Sequence, residues 1–194
     1  SLANAIEDTV DSIYISQKNA SYSVRSILAS SLSLTTVIAN YFSNITGYSN
    51  AIYNPLQEGG CPSCSGIGVI KYERGYEKDI YLNCPICEGM LFDKLNPKIT
   101  QKVNGISIVD LYELEIMDIP KYIDHITINR IIKTALALGL GHLKLNRKTQ
   151  TLSGGELRRI RLCNQLSRAR ETDRILIIDE PAAGLDPETA SSIA

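Results

Sequence analysis

Two Cys-x-x-Cys pairs, Cys61-Pro-Ser-Cys64 and Cys84-Pro-Ile-Cys87, constrain this chain more than any other feature. Two thiolates in one Cys-x-x-Cys turn can share a metal, and a second pair brought back by a hairpin completes a closed tetrahedral site. A closed site of four cysteines is structural rather than catalytic, and zinc is the metal expected on Cys61, Cys64, Cys84 and Cys87. The competing reading is four buried or adventitiously oxidised thiols. The fifth cysteine, Cys163, falls in an apolar helical stripe and reads as core. Cysteines paired in this way point to a reducing compartment rather than to disulfides.

Between the pairs, residues 68–73 and 78–83 read as two strands joined around Arg74-Gly75. Such a hairpin presents Lys71, Arg74 and Lys78 among Tyr72, Tyr76 and Tyr81. Positive charge interleaved with aromatics can contact phosphates and stack on bases, so these three cations are candidate DNA contacts. Glu73, Glu77 and Asp79 dilute the charge, and an ordinary solvated hairpin accounts for the same residues.

A second constraint runs from Thr149 to Glu188. Ser153 followed by Glu156 is a capping box, so a helix starts at Ser153 and runs to about Arg170. Leu157, Ile160, Cys163 and Leu166 give it one buried stripe. Gly154 and Gly155 sit in the first turn, where amides lack intrahelical partners and an anion, usually phosphate, is favoured. A plain capped helix with a glycine turn is the alternative. Ile175–Ile178 then reads as a strand buried in a parallel sheet. Ligands bind at the carboxyl ends of such strands, where Asp179 and Glu180 lie. One carboxylate can hold Mg²⁺ and the next can act as general base; a merely solvated acidic strand end is the other reading.

Leu152-Ser-Gly-Gly-Glu156, Ile175-Leu-Ile-Ile-Asp-Glu-Pro181 and Gly184-Leu-Asp186, in this order, resemble the signature motif, Walker B strand and D-loop of ABC-type ATPases. The resemblance implies that Ser153, Gly154, Gly155 and Glu156 meet a nucleotide bound to an opposing cassette. It implies Asp179 as the Mg²⁺ residue, Glu180 as catalytic base and Asp186 as the residue communicating across the pair. Ser1–Ile6 is similar to the helix after a Walker A loop, and Ile13–Gln17 to the Q-loop strand, with Gln17 at the nucleotide. No G-x-x-x-x-G-K-[ST] occurs in the chain. The expectation is therefore a fragment that begins just after that loop and hydrolyses ATP poorly by itself.

A four-cysteine hairpin placed ahead of such a signature resembles the UvrA class, the ABC-type ATPases of the bacterial excision-repair excinuclease. The likeness covers about Cys61 to Glu188, with Met90-Leu91 where the family carries a basic residue. It implies ATP, Mg²⁺ and Zn²⁺ as cofactors. The implied partners are DNA, a second ABC cassette and other excision-repair subunits.

The chain has 194 residues and a net charge of −1, which excludes a global electrostatic footprint for nucleic acid and leaves only local patches. No apolar run is long enough to span a membrane and no signal peptide is evident, so a cytoplasmic location is expected. Residues 23–43 read as one helix burying Ile27, Leu28, Leu32, Val37, Ile38 and Phe42; residues 47–60 read as loop. Asn104-Gly105 signals a hairpin between residues 98–103 and 106–108. Helices are expected over 107–114, 118–124 and 127–138, the last ended by Gly139 and Gly141. His125 and His142 read as structural or surface residues. Arg158, Arg159 and Arg161 suit a solvated helix face, or a contact with DNA or a partner cassette.

The expected fold class is α/β (mixed α+β), a partial ABC-type cassette with a helical signature region and an inserted zinc hairpin. Its expected divisions are 1–60, a partial nucleotide-binding core and helical segment; 61–92, the zinc module; 93–148, the helical signature region; and 149–194, signature motif, Walker B and D-loop. The expected function is ATP-driven DNA binding and damage recognition. The alternative is a zinc-stabilised nucleic-acid or protein binding module without ATPase activity of its own.

Overall fold

The computed structural model describes residues 12–15, 23–168 and 175–178. Strand β1 (Ser12–Ile15) pairs in parallel with β4 (Ile175–Ile178), Ser12 opposite Ile175 and Ile15 opposite Ile178. The apolar run at 175–178 thus forms the parallel strand that its composition predicts.

The single helix expected over 23–43 is two helices. Leu28–Ser31 (α1) and Leu34–Thr46 (α2) are separated at Leu32-Ser33, where Ser33 is left-handed with φ 58°. Bonds around Ile27 explain why the first helix starts only at Leu28 and not at residue 23. The Ser30 hydroxyl donates to the Ile27 carbonyl and accepts from the Ile27 amide, a local alternative to helical bonding. Residues 26–29 are also held from outside, since the Leu28 and Ala29 amides donate to the Arg147 and Leu145 carbonyls at 2.9 Å each. Ile27, Leu28, Leu32, Ile38 and Phe42 are buried as expected, Val37 only partly, and Leu34 and Ala39 join them.

The segment 47–60 contains a 3₁₀ turn at Asn50–Tyr53 that buries Tyr53 against Phe42, ring centroids 5.4 Å apart. Strands β2 (Val69–Arg74) and β3 (Glu77–Asn83) form the expected antiparallel hairpin, with Val69 opposite Asn83 and Lys71 opposite Tyr81. Asn104 and Gly105 are both left-handed, as their turn requires, but they close only the single bridge between Val103 and Ile106. The flanking strands do not form. Pro97 at the helix start and the Asn96 side chain, accepting from the Lys98 amide at 3.0 Å, nucleate α3 (Pro97–Thr100) instead.

Ser107 caps α4 (Ile108–Glu113) through the Asp110 amide. A 3₁₀ turn over Ile116–Lys121, carrying Pro120, replaces the helix expected at 118–124. Helix α5 (Ile126–Ala137) starts at His125, whose ring nitrogen accepts from the Ile128 amide, and stops before Gly139 at φ 68°. Helix α6 (Gly154–Arg168) follows the signature residues.

Helices α1, α2, α4, α5 and α6 bury one continuous apolar cluster, with Tyr112 and Phe92 meeting edge-on at 5.0 Å and 85°. Cys163 lies in it beside the Ile131 carbonyl, and burial pushes its thiol up to about 12, so it is inert core. The four other cysteines form a separate cluster with Ile70. Leu91 and Phe92 tie that module to the main core, through the Cys61 amide on the Leu91 carbonyl at 2.8 Å and the Asp93 amide on the Gly59 carbonyl at 3.0 Å.

Candidate metal centre and signature turn

Each Cys-x-x-Cys pair ends in a tight turn built the same way. After Cys64 come Ser65 (φ 51°) and Gly66 (φ 72°); after Cys87 come Glu88 (φ 54°) and Gly89 (φ 87°). The first turn is closed by the Gly66 amide on the Cys61 carbonyl at 3.2 Å and the Ile67 amide on the Cys64 carbonyl at 3.0 Å. The second is closed by the Glu88 amide on the Cys84 carbonyl at 2.7 Å. Gly66 has no freedom to be anything else, because a Cβ there would sit 1.5 Å from the Pro55 carbonyl oxygen.

The hairpin brings the turns together. All four sulfurs lie within 4.8 Å of one another and are buried, with Cys61–Cys84 at 4.0 Å and Cys64–Cys87 at 3.6 Å. A tetrahedron with metal–sulfur bonds of about 2.3 Å has edges of about 3.8 Å. The cluster therefore has the burial, composition and spacing to hold zinc. Amide donors aim at the sulfurs too, Gly68 reaching Cys64 Sγ at 3.1 Å. Burial raises the Cys64 thiol and pushes Cys87 up to about 12. At Cys84 burial also acts upward, but donors from the Cys87 and Ile86 amides and the Ser63 and Cys87 side chains outweigh it and bring that thiol to about 6.

Above this base the hairpin stands clear of the body, β3 exposed along its whole length. Lys71 pairs with Glu73 at 2.9 Å and Asp79 at 3.0 Å, and Arg74 pairs with Glu77. Among the described residues Lys78 has no ion pair. The acidic residues that dilute the patch in sequence thus neutralise two of its three cations in space.

At the signature turn, the Ser153 amide donates to Glu156 Oε2 at 2.7 Å and the Glu156 amide donates to Ser153 Oγ at 3.2 Å. Ser153 Oγ in turn donates to that carboxylate at 2.8 Å, and His142 Nε2 stands 3.5 Å from Glu156 Oε1. Burial acts to raise the Glu156 carboxyl, but the two Ser153 donors and His142 leave it below the usual range. Gly154 is exposed, and a Cβ there would meet nothing within 4 Å, so the space over the first turn of α6 is open.

The sequence did not single out Lys148. Its ammonium is largely buried and donates to the carbonyls of Ile67, in the first cysteine turn, and Val24, the latter at 3.1 Å. Nothing local marks this lysine, because both acceptors are backbone atoms from distant segments.

No family model matches the chain. Over 151 residues, 77% of the chain, it is 32% identical to the UvrABC system protein A of Staphylococcus aureus (strain COL) and covers 16% of that protein. Over 131 residues, 67% of the chain, it is 36% identical to the UvrABC system protein A of Deinococcus radiodurans and covers 13% of it. Its fold matches the crystal structure of UvrA2 from Deinococcus radiodurans with a TM-score of 0.79 at 26% identity, over 94% of this chain and 23% of that one. The chain belongs to the UvrA family.

The fold class is accordingly the mixed helix-and-strand architecture of UvrA, with a four-cysteine module inserted ahead of the signature turn. This UvrA-family chain spans about a sixth of the length of the curated relatives it matches. Its parallel strands set Ile15 beside Ile178, so both end at the same edge of the sheet. The remaining expected site residues, Gln17, Asp179, Glu180 and Asp186, lie outside the described residues. Among the described residues no helix is long and apolar enough to cross a membrane.

Proposed function

We propose that this chain acts as UvrA-type ABC ATPase sequence in nucleotide excision repair, binding DNA and contributing to damage recognition, with ATP hydrolysed between paired cassettes. One observation carries the reading: a buried four-cysteine knuckle and a capped, open Ser153–Glu156 turn are built on the same helical body. Family membership points the same way.

In this reading Cys61, Cys64, Cys84 and Cys87 hold zinc, which supplies a closed cross-link at the base of the hairpin. Ser153, Gly154, Gly155 and Glu156 face the nucleotide of an opposing cassette. The Ser153 hydroxyl turns from the Glu156 carboxylate toward a phosphate oxygen, and the first-turn amides of α6 add their dipoles. Gln17 senses the nucleotide, Asp179 holds Mg²⁺, Glu180 orients and deprotonates the attacking water, and Asp186 reports across the pair. On the hairpin, Lys78 is the cation best placed to meet a DNA phosphate, with Lys71 and Arg74 available once their carboxylates are displaced. The divisions 1–60, 61–92, 93–148 and 149–194 serve as nucleotide-binding core, zinc module, signature region and signature-to-D-loop segment. Partners are DNA, a second cassette and other excision-repair subunits, in the cytoplasm.

The test combines elemental analysis with a salt titration of DNA binding by the purified chain. One zinc per chain with salt-sensitive affinity for duplex DNA is the expected result. Stoichiometric zinc without DNA binding would move the weight to a zinc-stabilised protein-interaction module, and absence of zinc would overturn the reading of the four cysteines.

A further inference from the structure

We propose that Lys148 is the positioning residue through which metal occupancy of the four-cysteine knuckle sets the place of the Ser153–Glu156 turn. The inference rests on the zinc reading above and deepens it.

Lys148 touches both structures at once. Its side chain donates to the Ile67 carbonyl, whose own amide is bonded to Cys64. Its carbonyl accepts from the Thr151 amide at 3.0 Å and from Thr151 Oγ1 at 2.8 Å, holding the 3₁₀ turn Thr149–Thr151. The Leu152 amide closes on Thr149 at 3.2 Å, and Ser153 leaves directly from there. Thr149 is pinned as well, its amide and hydroxyl both donating to the Ser26 carbonyl at 3.1 and 3.2 Å. The path from metal ligand to signature turn is thus Cys64, Ile67, Lys148, Thr151, Leu152 and Ser153, with hydrogen-bonded or peptide links throughout.

Electrostatics gives the path a direction. Four thiolates around one zinc dication carry a net charge of two negatives, and burying that charge is costly without a nearby cation. Burial lowers the proton affinity of the Lys148 amine, and the nearby Cys64 and Cys87 act the other way, in favour of the ammonium. With metal bound, the knuckle holds the ammonium firmly on Ile67. Without metal the two cysteine turns are no longer cross-linked, the Ile67 carbonyl loses its fixed place, and the anchor of the 149–151 turn goes with it.

The test uses the full chain, with zinc and after chelation, as wild type, Lys148→Met and Lys148→Arg. Backbone amide hydrogen exchange is followed at 61–68, 149–156 and, as a folding control, in α5. In the wild type, chelation is expected to speed exchange about tenfold or more in both 61–68 and 149–156. In Lys148→Met, zinc still binds, about tenfold more weakly, and exchange in 149–156 is fast whether or not metal is present. Lys148→Arg, which keeps charge and donors, restores metal-dependent protection of 149–156. The coupling is overturned if 149–156 ignores chelation in the wild type while 61–68 responds, or if Lys148→Met keeps the wild-type response. A chain that takes up no zinc at all overturns the metal reading, and the coupling with it.

Discussion

Lys71 and Asp79 face each other across the hairpin at 3.0 Å, and Glu73 reaches the same ammonium at 2.9 Å. In the proposed reading, the pair sets how much of this lysine's charge a DNA phosphate would meet. Two carboxylates hold the lysine charged, its proton affinity raised by hydrogen bonds to Glu73 and Asp79, yet they cancel its field. Such exposed pairs add little stability.

Lys78→Ala should therefore weaken DNA binding more than Lys71→Ala, and lower the slope of log affinity against log salt by about 1. Glu73→Gln with Asp79→Asn should tighten binding by freeing Lys71. A salt titration with a labelled duplex reads both. Equal losses for the two lysines would show that DNA displaces the carboxylates.

Removing zinc should open the hairpin without unfolding the helical body, because the cysteine cluster and the apolar cluster are separate. Chelation is expected to release one metal per chain and to abolish amide protection over 61–92, while helical circular dichroism persists. Global loss of helix would mean that the two clusters fold as one unit.

Gly66→Ala should be among the most damaging small substitutions. The added methyl would meet the Pro55 carbonyl at 1.5 Å, in a left-handed conformation that alanine disfavours. Zinc affinity measured by chelator competition should fall at least tenfold, while Gly154→Ala, with open space around it, leaves zinc affinity unchanged.

The cap at α6 carries a pH signature. Ser153→Ala should cost about 1 kcal/mol, or roughly 2–4 °C in melting temperature for a chain of this size. The Glu156 carboxyl is held below its ordinary value of 4.5, so its contribution is present above that pH and is lost as pH falls through the folded value. Thermal melts from pH 7 to pH 3 should show wild type and Glu156→Gln converging at the acid end. A gap that stays constant with pH would assign the difference to packing.

Phe92→Ala should destabilise by about 3–5 kcal/mol, since it removes the ring that packs on Tyr112 at 5.0 Å and seats the cysteine module on the core. Urea unfolding followed by far-UV circular dichroism reads the loss.

What could be read in advance was chemistry that acts over a few residues. The Ser153–Glu156 reciprocity, the turn at Arg74–Glu77, the cysteine knuckles and the apolar strand at 175–178 depend on near neighbours, and the residue types state them. The helix expected at 23–43 starts only at Leu28 because Ser30 and the distant Arg147 and Leu145 carbonyls hold the backbone at 27–29, and left-handed Ser33 divides it in two. The hairpin expected at Asn104-Gly105 shrank to one bridge because Asn96 and Pro97 started a helix first.

Composition and spacing alone were enough for the gathering of the four cysteines and the capped start of α6, and for Ile160 and Cys163 in its buried stripe, though not for Leu162, which is buried while Leu157 and Leu166 are only partly so. Only the tertiary structure decided that two of the three hairpin cations are neutralised, and that Lys148 joins the knuckle to the signature turn. Both depend on partners supplied by other segments, and a backbone carbonyl such as that of Ile67 leaves no mark in the residue that will bind it.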